Sequence, residues 1–257
     1  MIEQLQFVLT PPEGIRVPLA YAYRLYGWLL EQLSSELGDT LHEQGKHPVS
    51  QFLYFSPERQ ALVWTVNLLN DELRQAAVPI LEQVQQIQLH DLPLHAELLS
   101  RVQPVSAHQL ICAGRDQGAN RVKLTFRSPC AFKQNGRYAI YPQETLVLQS
   151  LIQHWNNAFL EVALTDPDAF QALAQGLRIL DYDLRTTRYL LKEARIPAFR
   201  GSMTLEARLA PPLLALWNAL LTFAPFGGIG IKTTLGMGGT EAEFIPARFP
   251  DGHRAAL

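Results

Sequence analysis

The order of hydrophobic periodicities in the first 106 residues limits the folds open to this 257-residue chain more than any other feature. Ile2, Leu5, Phe7 and Leu9 are spaced for a half-buried strand that Pro11 and Pro12 end. Alternation sends successive side chains to opposite faces, so one face can meet a core. Leu19, Tyr23, Tyr26, Leu30 and Leu33 then recur at intervals of three and four, which with Pro18 in a first turn predicts an amphipathic helix over 18–36, stopped by Gly38. Strands at 51–55 and 62–68 flank the turn-forming Ser56-Pro57-Glu58-Arg59-Gln60, Asn70-Asp71 caps a helix to about residue 86, and another strand falls near 97–106. Strand, helix, strand, strand, helix, strand is the split ferredoxin-like unit, with two helices on one face of an antiparallel sheet.

The later pattern predicts strands at 108–113 and 121–127, helices at 143–158 and 166–174, long strands at 177–190 and 196–209, a helix at 211–222 and a closing strand at 240–245. This reads as a second, modified unit. The expected class is therefore α+β, tandem ferredoxin-like domains over 1–106 and 107–257, with antiparallel sheets and helices on one face.

An apolar content of 47% supports a packed core rather than disorder. The longest apolar run, 213–226, is broken by Asn218, Thr222 and Pro225 and falls short of the roughly 20 residues that span a bilayer, so it reads as a buried helix with no membrane role. The start of the chain lacks a basic segment followed by an apolar run, which makes the cytoplasm the expected location. Cys112 and Cys130 are too few for a disulfide framework and lack zinc-site spacing. His90 and His95 are separated by Asp91-Leu92-Pro93-Leu94 without a third ligand nearby, and are expected in a loop. No metal or cofactor is called for.

A net charge of −2 argues against a generally basic polyanion binder, but the charges are unevenly placed. Acids dominate 71–97, whereas Arg115, Arg121, Lys123, Arg127, Lys133 and Arg137 face a single acid, Asp116, within 115–137. Arg178, Arg185, Arg188, Lys192, Arg195, Arg200 and Arg208 outnumber the acids of 177–208. The second half thus holds the surface suited to a polyanion, although solvated strand faces give the same pattern.

Residues 228–238 read Gly-Ile-Gly-Ile-Lys-Thr-Thr-Leu-Gly-Met-Gly, glycine pairs at both ends and a cation in the middle. Gly228, Gly230, Gly236 and Gly238 allow positive φ and close approach of backbone amides to an anion, while Lys232 beside Thr233 supplies charge for a phosphate. A nucleotide-binding P-loop needs glycine immediately before its lysine, where Ile231 stands, and a dinucleotide fingerprint follows an early strand; a ligand-free glycine-rich hairpin is the plain alternative.

With these residues in view the chain resembles the CRISPR-associated RAMP superfamily, and within it the repeat-cleaving endoribonucleases, whose signature is a C-terminal glycine-rich loop holding a basic residue. Leu124-Thr125-Phe126-Arg127-Ser128-Pro129-Cys130-Ala131-Phe132 is similar to the family's strand and Ser-Pro turn, and Ala198-Phe199-Arg200-Gly201-Ser202 to its Phe-x-Gly strand start. Leu41-His42-Glu43-Gln44-Gly45-Lys46 lies where many members carry a catalytic histidine, so the resemblance implies that role for His42, with Lys46 and His47 as helpers and His47 as competitor. Several members use a first-helix tyrosine; Trp28-Leu29-Leu30 has no hydroxyl at the matching place, leaving Tyr26 or Tyr23 as substitutes.

The implied reaction is metal-independent cleavage of precursor CRISPR RNA, giving 2',3'-cyclic phosphate and 5'-hydroxyl ends. The nucleophile, a ribose 2'-hydroxyl, already sits beside the phosphate, so positioning and one histidine near its ordinary pKa of ~6.5 suffice. Arg127, Lys133, Arg185, Arg188 and Arg200 are the expected phosphate contacts, with shape and unpaired bases giving selectivity. CRISPR repeat RNA is the expected partner; a place in a CRISPR effector complex and a homodimer are left open. Two other readings stand beside this one: a non-catalytic RAMP subunit that binds guide RNA, and a nucleotide-dependent enzyme using the loop as a phosphate cradle.

Overall fold

The structure is a computed structural model that describes residues 1–33, 48–90 and 92–246. Strands β1 (Ile2–Thr10), β2 (Val49–Ser56), β3 (Ala61–Leu68), β4 (Gln86–Leu89) and β5 (Leu92–Val105) form one antiparallel sheet in the order β2-β3-β1-β5-β4. Helices α1 (Ala22–Gln32) and α2 (Asp71–Gln83) cover the face carrying Leu5, Phe7, Leu9, Leu53, Trp64 and Val66. The Asn70 side chain accepts from Leu73 N at 2.9 Å, satisfying one of the free amides at the start of α2.

The second sheet, in the order β11-β6-β10-β9, joins β6 (Arg121–Cys130), β9 (Leu177–Leu191), β10 (Ala194–Ala207) and β11 (Thr240–Ile245). Its core is shared with α3 (Ala107–Gln117), α4 (Glu144–Ala158), α5 (Pro167–Gly176) and α6 (Pro211–Gly227). Both sheets have the ferredoxin-like order, the first with β4 added at its edge. A short hairpin, β7 (Phe132–Gln134) and β8 (Arg137–Ala139), turns at Asn135-Gly136, both at positive φ. Among the described residues no helix is long and apolar enough to cross a membrane.

Several expectations are corrected. Residues 108–113 are helix, not strand: Ser106 and Gln109 form a reciprocal capping box and Gly118 closes α3 in the left-handed region. The decisive contact is tertiary, because Gly114 lies against α6 so closely that a Cβ would sit 2.3 Å from Ala219 N. The second helix ends at Gln83, since buried Ile87 and Leu89 alternate as β4. The next strand begins at Leu92 rather than near 97, so His95 belongs to β5 while His90 stays in the turn. The first helix starts at Ala22 after a 3-10 turn, Leu19–Tyr21; its expected end at 34–36 lies outside the described residues. Ser128-Pro129 is no turn: β6 continues through it to Cys130, with the register against β10 shifting between Phe199 and Gly201. Phe199-Arg200-Gly201 accordingly lies within β10, not at its start.

Candidate nucleic-acid interface

Helix α6 ends between the two sheets, and its last carbonyls are met by side chains from the uncovered face of the first. Gln4 Nε2 and Asn67 Nδ2 each donate to Pro225 O at 3.3 Å, and the Ser50 hydroxyl donates to Phe226 O. These bonds satisfy acceptors that any helix end leaves open. They also fix where the glycine-rich segment starts.

From Gly228 the chain crosses the junction. Ile229 N donates to Gly238 O at 2.9 Å, closing the segment on itself, while Gly230 N reaches Ser150 Oγ at 2.7 Å, Ile231 N Ala131 O at 2.9 Å, Gly238 N Pro129 O at 2.9 Å and Gly239 N Ser128 Oγ at 2.8 Å. On the other side Gln51 Nε2 donates to Thr234 O at 2.8 Å and to Ala22 O at 2.9 Å, its Oε1 accepts from Trp64 Nε1 at 3.0 Å, and Thr234 Oγ1 donates to Val49 O at 3.0 Å. Tyr189, whose hydroxyl burial pushes well above its ordinary range, donates to Leu235 O at 2.5 Å. The amides of Gly228, Gly230, Gly236, Gly238 and Gly239 are all used inside the protein. The glycines therefore act as a brace between sheets, with Gly228, Gly230, Gly236 and Gly238 at positive φ. The part offered outward is Lys232, exposed and itself left-handed (φ 57), leading the 3-10 turn Thr233–Leu235.

Lys232, Thr233 and Thr234 open onto a cleft of about 210 Å³ shared with Pro48, His154 and Asn157. His154 Nδ1 lies 3.0 Å from Gly228 O, so the proton is on Nδ1 and Nε2 is left as an acceptor. Desolvation lowers its pKa, outweighing the opposite effect of the Gly228 bond. Sequence reading missed His154. Its one signal is the four-residue spacing from Ser150, which puts both side chains on the face of α4 that meets the loop, and that meaning is visible only once the loop is in place.

His42, Lys46 and His47 lie outside the described residues. The elements on either side, α1 and β2, both pack on the 3-10 turn of the loop. Tyr26 is buried in the first core, its hydroxyl pushed up to about 12 by desolvation, and it lines a different cleft, beside Lys192 and His90. The structure thus does not bring Tyr26 to Lys232. Tyr23 lines that same cleft and accepts from Arg24 Nε at 3.2 Å.

The expected phosphate contacts separate into distinct places. Arg127 is held by Glu241 at 2.7 Å and lies over the Tyr54 ring between the sheets. Lys133 is exposed on the β7–β8 hairpin. Arg185 and Arg200 are directly opposed on β9 and β10, whereas Arg188, three residues on, faces the other side of the sheet. Among the described residues none of Lys133, Arg185, Arg188, Arg200 and Lys232 has a carboxylate in ion-pair range.

Two ferredoxin-like sheets braced by a lysine-bearing glycine loop form the framework of the site. The family model for CRISPR-associated endoribonuclease Cas6 matches residues 124–240. A Cas6 endoribonuclease of Streptococcus thermophilus is 32% identical over 223 residues, 86% of this chain and 91% of that protein. One from Mycobacterium tuberculosis is 29% identical over 229 residues, 87% and 72% of the two chains. A Cas6 product complex superposes with a TM-score of 0.75 at 23% identity, covering 95% of this chain and 100% of that one, and a Thermus thermophilus Cas6 with 0.72 at 22%, covering 95% and 98%; at such identities these structures show a shared fold. The chain belongs to the CRISPR-associated endoribonuclease Cas6 family.

Proposed function

We propose that this chain cuts precursor CRISPR RNA within its repeats, without a metal ion, by in-line attack of the ribose 2'-hydroxyl on the adjoining phosphate. The observation that carries this reading is the cleft in which His154 and exposed Lys232 meet Pro48, the residue that directly follows the segment bearing His42, Lys46 and His47. Lys232 would hold the phosphate, and His42 would take or give the proton. Among similar structures, one is a Cas6 bound to a substrate mimic and another a Cas6 with a histidine replaced by alanine. Residues 1–106 and 107–257 would act as two ferredoxin-like domains joined by the loop.

Incubating the protein with the CRISPR repeat of its own genome in EDTA should yield a single cut with 2',3'-cyclic phosphate and 5'-hydroxyl ends, and a 2'-deoxy nucleotide at the cut should abolish it. Cleavage of the deoxy RNA, or a strict need for added magnesium, would sink the mechanism. Lys232→Ala should weaken binding of all repeat variants alike and lower the slope of log affinity against log salt by about one, the signature of one lost phosphate contact; an unchanged slope removes Lys232 from the interface. A second copy would add at the outer edge of β9, which bears exposed Leu180, Tyr182 and Leu190. Sedimentation that stays monomeric at increasing concentration counts against that pairing.

A further inference from the structure

A larger cleft, about 680 Å³, lies away from Lys232, between the connection from β1 to α1 and the side of β10. Its walls are apolar: Leu9, Ile15, Val17, Leu19, Phe55 and Leu62. Phe55, at the end of edge strand β2, is 51% exposed and Ile15 is 50% exposed, so an aromatic face stands in solvent where burial would be favourable. The charged residues lining the cleft are Arg16 and Arg200, both exposed; Glu13 and Glu58, on the neighbouring connections, do not line it.

Arg200 brings a second cation with it. The register of β9 against β10 puts Arg185 directly across from Arg200, on the same face. Like charges directly opposed on adjacent strands destabilise a sheet. Among the described residues neither guanidinium meets a carboxylate, nor does Arg16. An aromatic platform with guanidiniums at its mouth has the chemistry that takes unpaired nucleotides, bases on the ring and phosphates on the cations.

We propose that this cleft binds an unpaired stretch of the RNA, one base stacked on Phe55 and its flanking phosphates held by Arg16, Arg200 and Arg185. The inference rests on the RNA-processing reading and adds a second contact region, remote from the cut. A base in a duplex has its faces covered, so the stacking selects for single-stranded RNA.

The test uses the full chain and two RNAs: the repeat with its natural single-stranded flanks, and the same repeat trimmed to its cut-site portion. Phe55→Ala, at an exposed position whose retained fold circular dichroism verifies, should weaken binding of the flanked RNA roughly tenfold and leave the trimmed RNA unaffected. Phe55→Trp should restore the loss, and 4-thiouridine in the flank should crosslink to the segments containing Phe55 or Ile15. Equal affinity of wild type and Phe55→Ala for the flanked RNA overturns the proposal. Should the wild-type protein cut repeats in EDTA while Phe55→Ala binds normally, the cleft falls and the nuclease stands. Should Phe55-dependent binding be found without any cleavage, the nuclease reading falls and the cleft stands.

Discussion

Replacing Gly238 by alanine is expected to lower the thermal midpoint by about 10 °C, whereas the same change at Gly118 should cost only a few degrees. Both glycines are left-handed, at φ 70 and φ 56, so the intrinsic conformational penalty of about 1–2 kcal/mol is common to the two. They differ in what surrounds them. A Cβ on Gly118 meets nothing within 4 Å, but one on Gly238 would lie 2.1 Å from Ile229 O, the backbone at the start of the same loop. That contact is relieved only by parting the chain where Ile229 N bonds Gly238 O, which disturbs the brace between the sheets. The two close-contact and conformational effects together amount to about 3–5 kcal/mol. Thermal unfolding of both variants, with repeat-RNA affinity measured alongside, tests this; equal midpoints would mean that the loop is not close-packed.

The same loop illustrates how far the sequence could be read. Glycine at 228, 230, 236 and 238 correctly marks backbone that side chains cannot share, and the positive φ values agree. What spacing does not reveal is whether that closeness serves a ligand or the protein itself. The amides turn inward because Ser128, Pro129, Ala131 and Ser150, distant in sequence, supply acceptors on the facing elements. The element order was legible because each half-buried strand and helix writes its period into the apolar positions. The misreading at 108–113 arose where short apolar runs fit either period, and the arbiters, a capping box at Ser106 and the contact of Gly114 with α6, are respectively local and tertiary. Only the first could have been recognised beforehand.

Charges show the same limit. Arg127 and Arg200 belong to the same basic half, yet Arg127 is neutralised by Glu241 across a strand pairing, while Arg200 faces another arginine. Strand register decides between them, and register is a property of the assembled sheet. His154 was invisible for a related reason: a histidine on a helix acquires meaning from the carbonyl of Gly228, 74 residues away.

His42→Ala is expected to slow repeat cleavage by about 10²–10⁴-fold while leaving repeat affinity nearly unchanged, because the proposed role is proton transfer rather than phosphate binding. His42 is joined to the Lys232 cleft through the chain: Pro48 lies six positions on, so the two Cα atoms cannot be more than about 22 Å apart. A base acting near the ordinary imidazole pKa should make single-turnover rates rise with pH through about 6.5 and then level off, and His42→Ala should erase that limb. Burial moves the His154 pKa downward, away from that limb. Parallel substitution of Lys46 and His47 separates helper from principal: the larger loss of rate, at equal affinity, identifies the proton carrier. Should His42→Ala cut at the wild-type rate while His47→Ala does not, the role passes to His47 and the rest of the mechanism stands.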